Sequence, residues 1–101
     1  MAAGVPASWK VLYHPAVRKD LDSLGSAASL RVMEAIHRRL HLGEPEKAGK
    51  PLGGKLSGWR RIRAAPFRIV YRIELRQREA YVLAIGPRRR EEVYQQALRR
   101  T

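Results

Sequence analysis

The sequence predicts an α+β fold: a helical hairpin packed on one face of a four-stranded antiparallel sheet, in the order β-α-α-β-β-β-α. Three observations predict it. Residues 67–75 alternate apolar and polar side chains, as a half-buried strand must. Two helical stretches between residues 15 and 42 meet at Gly25 and so form a hairpin. The breaks at 65–66 and 76–78 are so short that the strands they join must be antiparallel neighbours.

Each element has its own signal. In residues 9–14, WKVLYH, the side chains Trp9, Val11 and Tyr13 alternate with Lys10, Leu12 and His14, which marks a first strand. Pro15 suits the first position of a helix, where its missing N–H is not needed. Val17, Leu21 and Leu24 then follow at helical spacing, and Gly25 stops the helix. Ser26 is placed to cap a second helix reaching about residue 42, with Leu30, Met33, Ile36 or His37, and Leu40 as its apolar stripe. Residues 43–55, rich in Gly, Pro and Lys, read as a loop that Leu52 and Leu56 pin to the core. Strands are predicted over 59–64, 67–75 and 79–85, and Gly86 and Pro87 end the sheet. Residues 91–99 form a last short helix, with acids in its first turn and arginines in its last.

The chain has 101 residues, room for one domain with a modest core. Residues 1–8 are small and polar and read as a flexible arm, leaving 9–101 as the domain. Hydrophobic residues make up 45%, which excludes a disordered chain. Lys and Arg number 21 against 9 Asp and Glu, a formal net charge of +12. So large an imbalance repels itself and points to a polyanionic partner. With no cysteine, a disulfide framework and a thiolate metal site are both excluded. MAAGVPASWK lacks the basic and apolar regions of a signal peptide, and no stretch approaches the ~18 apolar residues of a membrane span. A soluble cytoplasmic protein without membrane contact is expected.

Residues 59–72, WRRIRAAPFRIVYR, hold five arginines and no acid. Strand alternation puts Phe67, Ile69, Tyr71 and Ile73 on one face, towards the helices. Arg68, Val70 and Arg72 fall on the other. If Ile62 also faces the helices, Arg61 and Arg63 join Arg68 on a helix-free, basic face. Wet sheet faces normally mix charges; arginine without acid reads as an anion site, because the guanidinium fork binds phosphate bidentately. Arg88, Arg89 and Arg90 lie just past the third of these strands, within reach of Arg68, and Tyr94 sits one turn into the last helix.

At this point the sequence resembles the RelE/ParE superfamily of bacterial type II toxins. Leu52 to Leu56 with the strand RIR resembles the family's loop and basic strand, which carries a Lys-x-Lys pair. FRIVYRI resembles its central strand, VLAIGPRRREEVY its ending, and WKVLYHPAVRKDLDSL its first strand and helix. The resemblance spans residues 9–99. It implies a RelE-like fold and a metal-independent endoribonuclease that cuts mRNA in the ribosomal A site, without a cofactor, until a cognate antitoxin blocks it. The ribose 2′-OH would attack the adjacent phosphate, giving a 2′,3′-cyclic phosphate and a 5′-OH end.

Carried over by position, the resemblance makes Arg61 and Arg63 the basic strand pair, Arg68 and Arg88 the phosphate-binding arginines, and Tyr94 the C-terminal tyrosine. Lys55, Arg60, Arg72, Arg89 and Arg90 would contact RNA around them. Arg61 and Arg63 depart from the family's lysines. Arginine stays protonated and cannot serve as a base, so the base role falls provisionally to Tyr94. His14, His37 and His41 lie on the first strand and second helix, away from this face. Two rivals share the charge pattern: a ParE-type gyrase inhibitor without nuclease chemistry, and a plain nucleic-acid-binding module.

Overall fold

In the computed structural model, residues 8–101 are described, the side chain of Arg90 excepted. The arm expected over residues 1–8 lies, apart from Ser8, outside the described residues. Strand β1 (Lys10–Tyr13) leads through His14, whose Nδ1 accepts the Ala16 N–H at 3.0 Å, into helix α1 (Val17–Leu24). Gly25, at φ +87°, supplies the left-handed backbone that turns the chain into α2 (Ser26–Ile36), and a π turn at His37–His41 extends α2. A short helix α3 (Pro45–Ala48), strand β2 (Lys50–Pro51) and a 3₁₀ turn at Gly54–Leu56 fill the predicted loop. Strands β3 (Arg60–Ala64), β4 (Phe67–Glu74) and β5 (Glu79–Pro87) follow. A 3₁₀ turn at Arg89–Glu91 then enters helix α4 (Glu92–Arg100).

The fold is the predicted α+β type, with two corrections to its sheet. There are five strands, not four, in the order β1-β5-β4-β3-β2, and β1 runs parallel to β5. The antiparallel meander holds only for β2 to β5, where connections are short. The helical hairpin carries the chain from β1 across the sheet, the long crossover that parallel pairing requires. The fifth strand is the two-residue β2, too short to leave a periodic pattern.

The second correction concerns the far face, which is not helix-free. One core, between α1, α2 and the sheet, gathers Val17, Val32, Ile36, Leu40, Ile69 and Tyr71 among others. A second core lies under α4 and joins Leu56, Val70, Leu83, Ala84, Val93 and Ala97. A register shift at Val70/Tyr71 leaves Leu83 without a partner on β4, and this bulge turns both Leu83 and Ala84 towards α4. Val93 and Ala97, four apart, are the helix's matching stripe.

In the stripe expected of α2, Met33, Ile36 and Leu40 pack on the core and Leu30 does not. Ala28, Val32, Ala35 and Ile36 are buried, whereas Leu30 is 66% exposed. Small residues let the helix sit close to the sheet. Leu40, on the π turn, is completely buried as predicted. Leu40→Ala is therefore expected to destabilise by about 2–5 kcal/mol, and Leu30→Ala by no more than about 0.5 kcal/mol, in urea denaturation.

At the sheet edge, Gly49 leaves no room for a side chain. An added Cβ would meet the Arg61 carbonyl and the Tyr71 hydroxyl. That hydroxyl donates to the Pro45 carbonyl at 2.6 Å; burial pushes its pKa up, against the pull of the Arg60 guanidinium. Among the described residues, no helix is long and apolar enough to cross a membrane.

Candidate nucleic-acid interface

β3 and β4 bring the arginines together through their register. Arg63 lies directly opposite Arg68, and Arg61 opposite Val70. Alternation sends Ile62 and Ile69 into the core and leaves Arg61, Arg63 and Arg68 on the α4 side. Like charges placed directly opposite across a ladder are destabilising. No carboxylate among the described residues forms an ion pair with these three.

Helix α4 closes one flank of this cluster. Val93 is buried beneath it, which sets Tyr94, the next residue, at the rim. Arg68 Nη1 donates to Tyr94 Oη at 2.7 Å, and the guanidinium carbon stands 5.8 Å from the ring centroid. The Nε of Arg68 is buried with no acceptor. Arg68 is thus oriented by one hydrogen bond and by a cation–π contact.

α4 is itself held by a buried acid. Asp20 on α1 is 5% exposed. Its carboxylate accepts from Gln96 Nε2 at 2.7 Å, from both terminal nitrogens of Arg100 at 2.7 and 2.8 Å, and from the Ile85 N–H at 3.0 Å. Arg100 Nη1 also donates to the Leu83 carbonyl at 3.0 Å. β1 ends too early to pair this stretch of β5, so Asp20 and Arg100 satisfy its backbone groups instead. The hydrogen bond that Arg100 donates to Asp20 holds the guanidinium protonated more firmly than usual. No local pattern marks Asp20 in the sequence, because its partners stand 65 to 80 residues away.

The other predicted residues divide. The Arg88 side chain is exposed; its backbone N–H donates to the Pro66 carbonyl at 3.2 Å, two residues beyond Gly86, the residue opposite Arg68. No side-chain hydrogen bond joins Arg88 to Arg68 or Tyr94. Arg89 and Lys55 are exposed, Lys55 on the turn beside Leu56. The Arg90 side chain lies outside the described residues. Arg72 lies over the rings of Trp59 at 5.0 Å and Tyr81 at 5.3 Å, at the far end of the same face.

Arg60 does not join them. It faces the helices, its Nη2 donates to the Gly49 carbonyl at 2.6 Å, and its Nε is buried. The difference is one position in the strand period, since Arg60 shares a face with Ile62 and not with Arg61. His14, His37 and His41 are on other elements, and the His41 Nδ1–H donates to the Trp9 carbonyl at 2.7 Å to pin the start of β1. Among the described residues, no group of three or more His, Asp or Glu side chains is placed to hold a metal ion.

Comparisons with known proteins agree with this architecture. A family model described as the ParE toxin of the type II toxin–antitoxin system parDE matches residues 11–92. The RelBE2 toxin–antitoxin complex of Mycobacterium tuberculosis is similar in structure, with a TM-score of 0.75 and 28% identity over 81% of this chain and 93% of that one. The archaeal RelE–RelB complex of Pyrococcus horikoshii OT3 is similar at a TM-score of 0.60 and 26% identity, over 81% and 97%. The free E. coli toxin RelE, with two arginines replaced by alanine, shares the fold at a TM-score of 0.71 and 23% identity, over 92% and 97%. No curated protein sequence matches significantly. The match over most of the chain, with RelE-like structures on the same frame, shows that this protein belongs to the ParE toxin family of type II toxin–antitoxin systems, within the RelE/ParE superfamily.

Proposed function

We propose that this toxin is a ribosome-dependent mRNA endoribonuclease acting in the cytoplasm, where ribosomes and mRNA meet, and neutralised by a cognate antitoxin. The observation that carries the reading is the Arg68–Tyr94 hydrogen bond at the centre of an acid-free arginine cluster. A gyrase inhibitor needs a protein-binding surface, but it has no use for a phenol oriented by a guanidinium. Two relatives above 25% identity are described as toxin–antitoxin complexes, which supports the antitoxin partner.

In this reading the scissile phosphate sits between Arg68 and Arg88. Arg61 and Arg63 hold the strand alongside, and Lys55, Arg72, Arg89 and Arg90 extend the basic track. Arg60, engaged with Gly49, belongs to the fold. Tyr94 acts in its phenolate form: it takes the proton of the attacking 2′-OH and becomes the neutral phenol, while its hydrogen bond with Arg68 keeps its oxygen in place. Arg68 and Arg88 stabilise the extra charge of the phosphorane. The 2′ oxygen bonds to phosphorus, the bond to the 5′ oxygen breaks, and that oxygen needs a proton. Among the described residues, no histidine or carboxylate is bonded to this cluster. In this reading a ribosomal group delivers that proton and completes the site.

Primer extension on mRNA programmed into 70S ribosomes tests this. Cuts within the A-site codon are expected, with little cleavage of the same RNA free in solution. Tyr94→Phe keeps the ring under Arg68 and removes only the hydroxyl, so its single-turnover rate should fall by about 10²–10⁴. Unchanged cleavage in that variant would remove Tyr94 from the chemistry. The matching family description favours a second reading, the ParE-type gyrase inhibitor. Growth arrest with gyrase stalled on DNA and no A-site cuts would establish that one instead.

A further inference from the structure

At the end of the sheet, where β4 begins and β5 finishes, lies an open cavity of about 560 Å³. Pro66, Phe67, Pro87, Arg88 and Arg89 line it. Phe67 and Pro87 stand opposite each other across β4 and β5, so two rings share one wall. Phe67 is only partly buried, with part of its ring against the core. Arg88 and Arg89 are exposed, and among the described residues neither side chain makes an ion pair or a hydrogen bond.

Rings below and free guanidinium groups at the rim select a ligand that is flat and weakly polar on its faces and anionic at its edge. An aliphatic peptide side chain would use the rings but leave both arginines unpaired. Inorganic phosphate would satisfy the arginines and leave the rings wet. A nucleotide satisfies both, since bases stack on such walls and phosphates pair with arginine. Position agrees as well. Phe67 and Arg68 are consecutive and point to opposite sides of the sheet, and Arg88 directly follows Pro87. Arg88 therefore belongs both to this wall and to the end of the arginine cluster.

We propose that this cavity is a nucleobase site, which seats the base next to the phosphate held by Arg68 and Arg88. The proposal rests on the RNA-cleaving reading and adds to it a subsite that holds the strand in register for the cut. The strand passes over the end of the sheet, its phosphate on the α4 side and its base on the Phe67 side.

The test uses the full chain and an uncleavable 2′-O-methyl RNA trinucleotide at low salt, with binding read by fluorescence anisotropy. The same trinucleotide is then made abasic at each position in turn. One abasic position should weaken binding by about tenfold, and the others much less. Phe67→Leu, which keeps an apolar side chain against the core, should erase that difference, while Arg68→Ala should weaken every probe alike. The abasic series on the unaltered protein decides the question even if Phe67→Leu melts early. Abasic probes that all bind like the parent would overturn the base site and leave the grip on RNA, and the nuclease reading, in place. No binding by any probe would overturn the base site, while the A-site cleavage assay on ribosomes decides the nuclease reading separately.

Discussion

Asp20→Ala is expected to lose about 3–5 kcal/mol of stability, the largest effect of any single change outside the cores. Asp20 is the anion of a buried pair whose side chains are 2% and 14% exposed, and it also accepts from the Ile85 N–H and from Gln96. Removing it deprives three kinds of donor of their acceptor, an amide, a backbone N–H and a guanidinium that keeps only the Leu83 carbonyl. Arg100→Ala should cost less. It leaves Asp20 with two of its donors, and Arg100 sits at the end of a helix where solvent is near. Urea denaturation of both variants, at unchanged slope, checks this order. The loss should also reach the candidate site, because Gln96 and Arg100 fasten the helix that carries Tyr94. Amide exchange at Ile85 should rise in Asp20→Ala, and any cleavage activity should fall with it. Equal stability of Asp20→Ala and the parent would mean that α4 is held by Val93 and Ala97 alone.

The inward and outward sets of β4 were legible because a strand's period is local: Ile69 and Tyr71 turn in, Arg68 and Arg72 turn out. Arg63 could be set beside Arg68 because only Ala65 and Pro66 separate their strands. The covering of the arginine face by α4 was missed, although Val70 was a sign of it. An apolar residue between two arginines on an outward face needs something to bury it. In the predicted stripe of α2, Met33, Ile36 and Leu40 pack on the core and Leu30 alone does not; a large leucine outranks alanine in any hydrophobic pattern, while close packing on a sheet favours Ala28, Val32 and Ala35. The parallel pairing of β1 with β5 leaves no periodic trace, since pattern marks a strand and not its neighbour. Asp20 was hidden for a related reason. A lone aspartate in α1, two residues from Asp22, looks solvated until α4 and β5 fold over it.

Arg68→Ala is the change that most sharply separates function from fold. Loss of a preorganised cation at the phosphate should lower A-site cleavage by about 10²–10³. Stability should move little, or rise. Arg68 faces Arg63 across the ladder, and its Nε is buried without an acceptor, so the folded state is relieved of a like-charge contact and of an unpaired donor. A residue kept where it strains the fold is the pattern that binding sites produce, because the anion it awaits removes the strain. Arg68→Lys sharpens the point. Lysine keeps the charge but lacks the planar fork, so it cannot hold the Tyr94 hydroxyl and a phosphate oxygen together in fixed geometry. Its cleavage rate should fall between those of Arg68→Ala and the parent, with Tyr94→Phe adding little further loss in the double variant because the pair acts as a unit. Thermal melting and single-turnover primer extension, run on the same preparations, give both halves of the answer. Full cleavage by a stably folded Arg68→Ala would show that the arginine pair across β3 and β4 grips something other than the reacting phosphate.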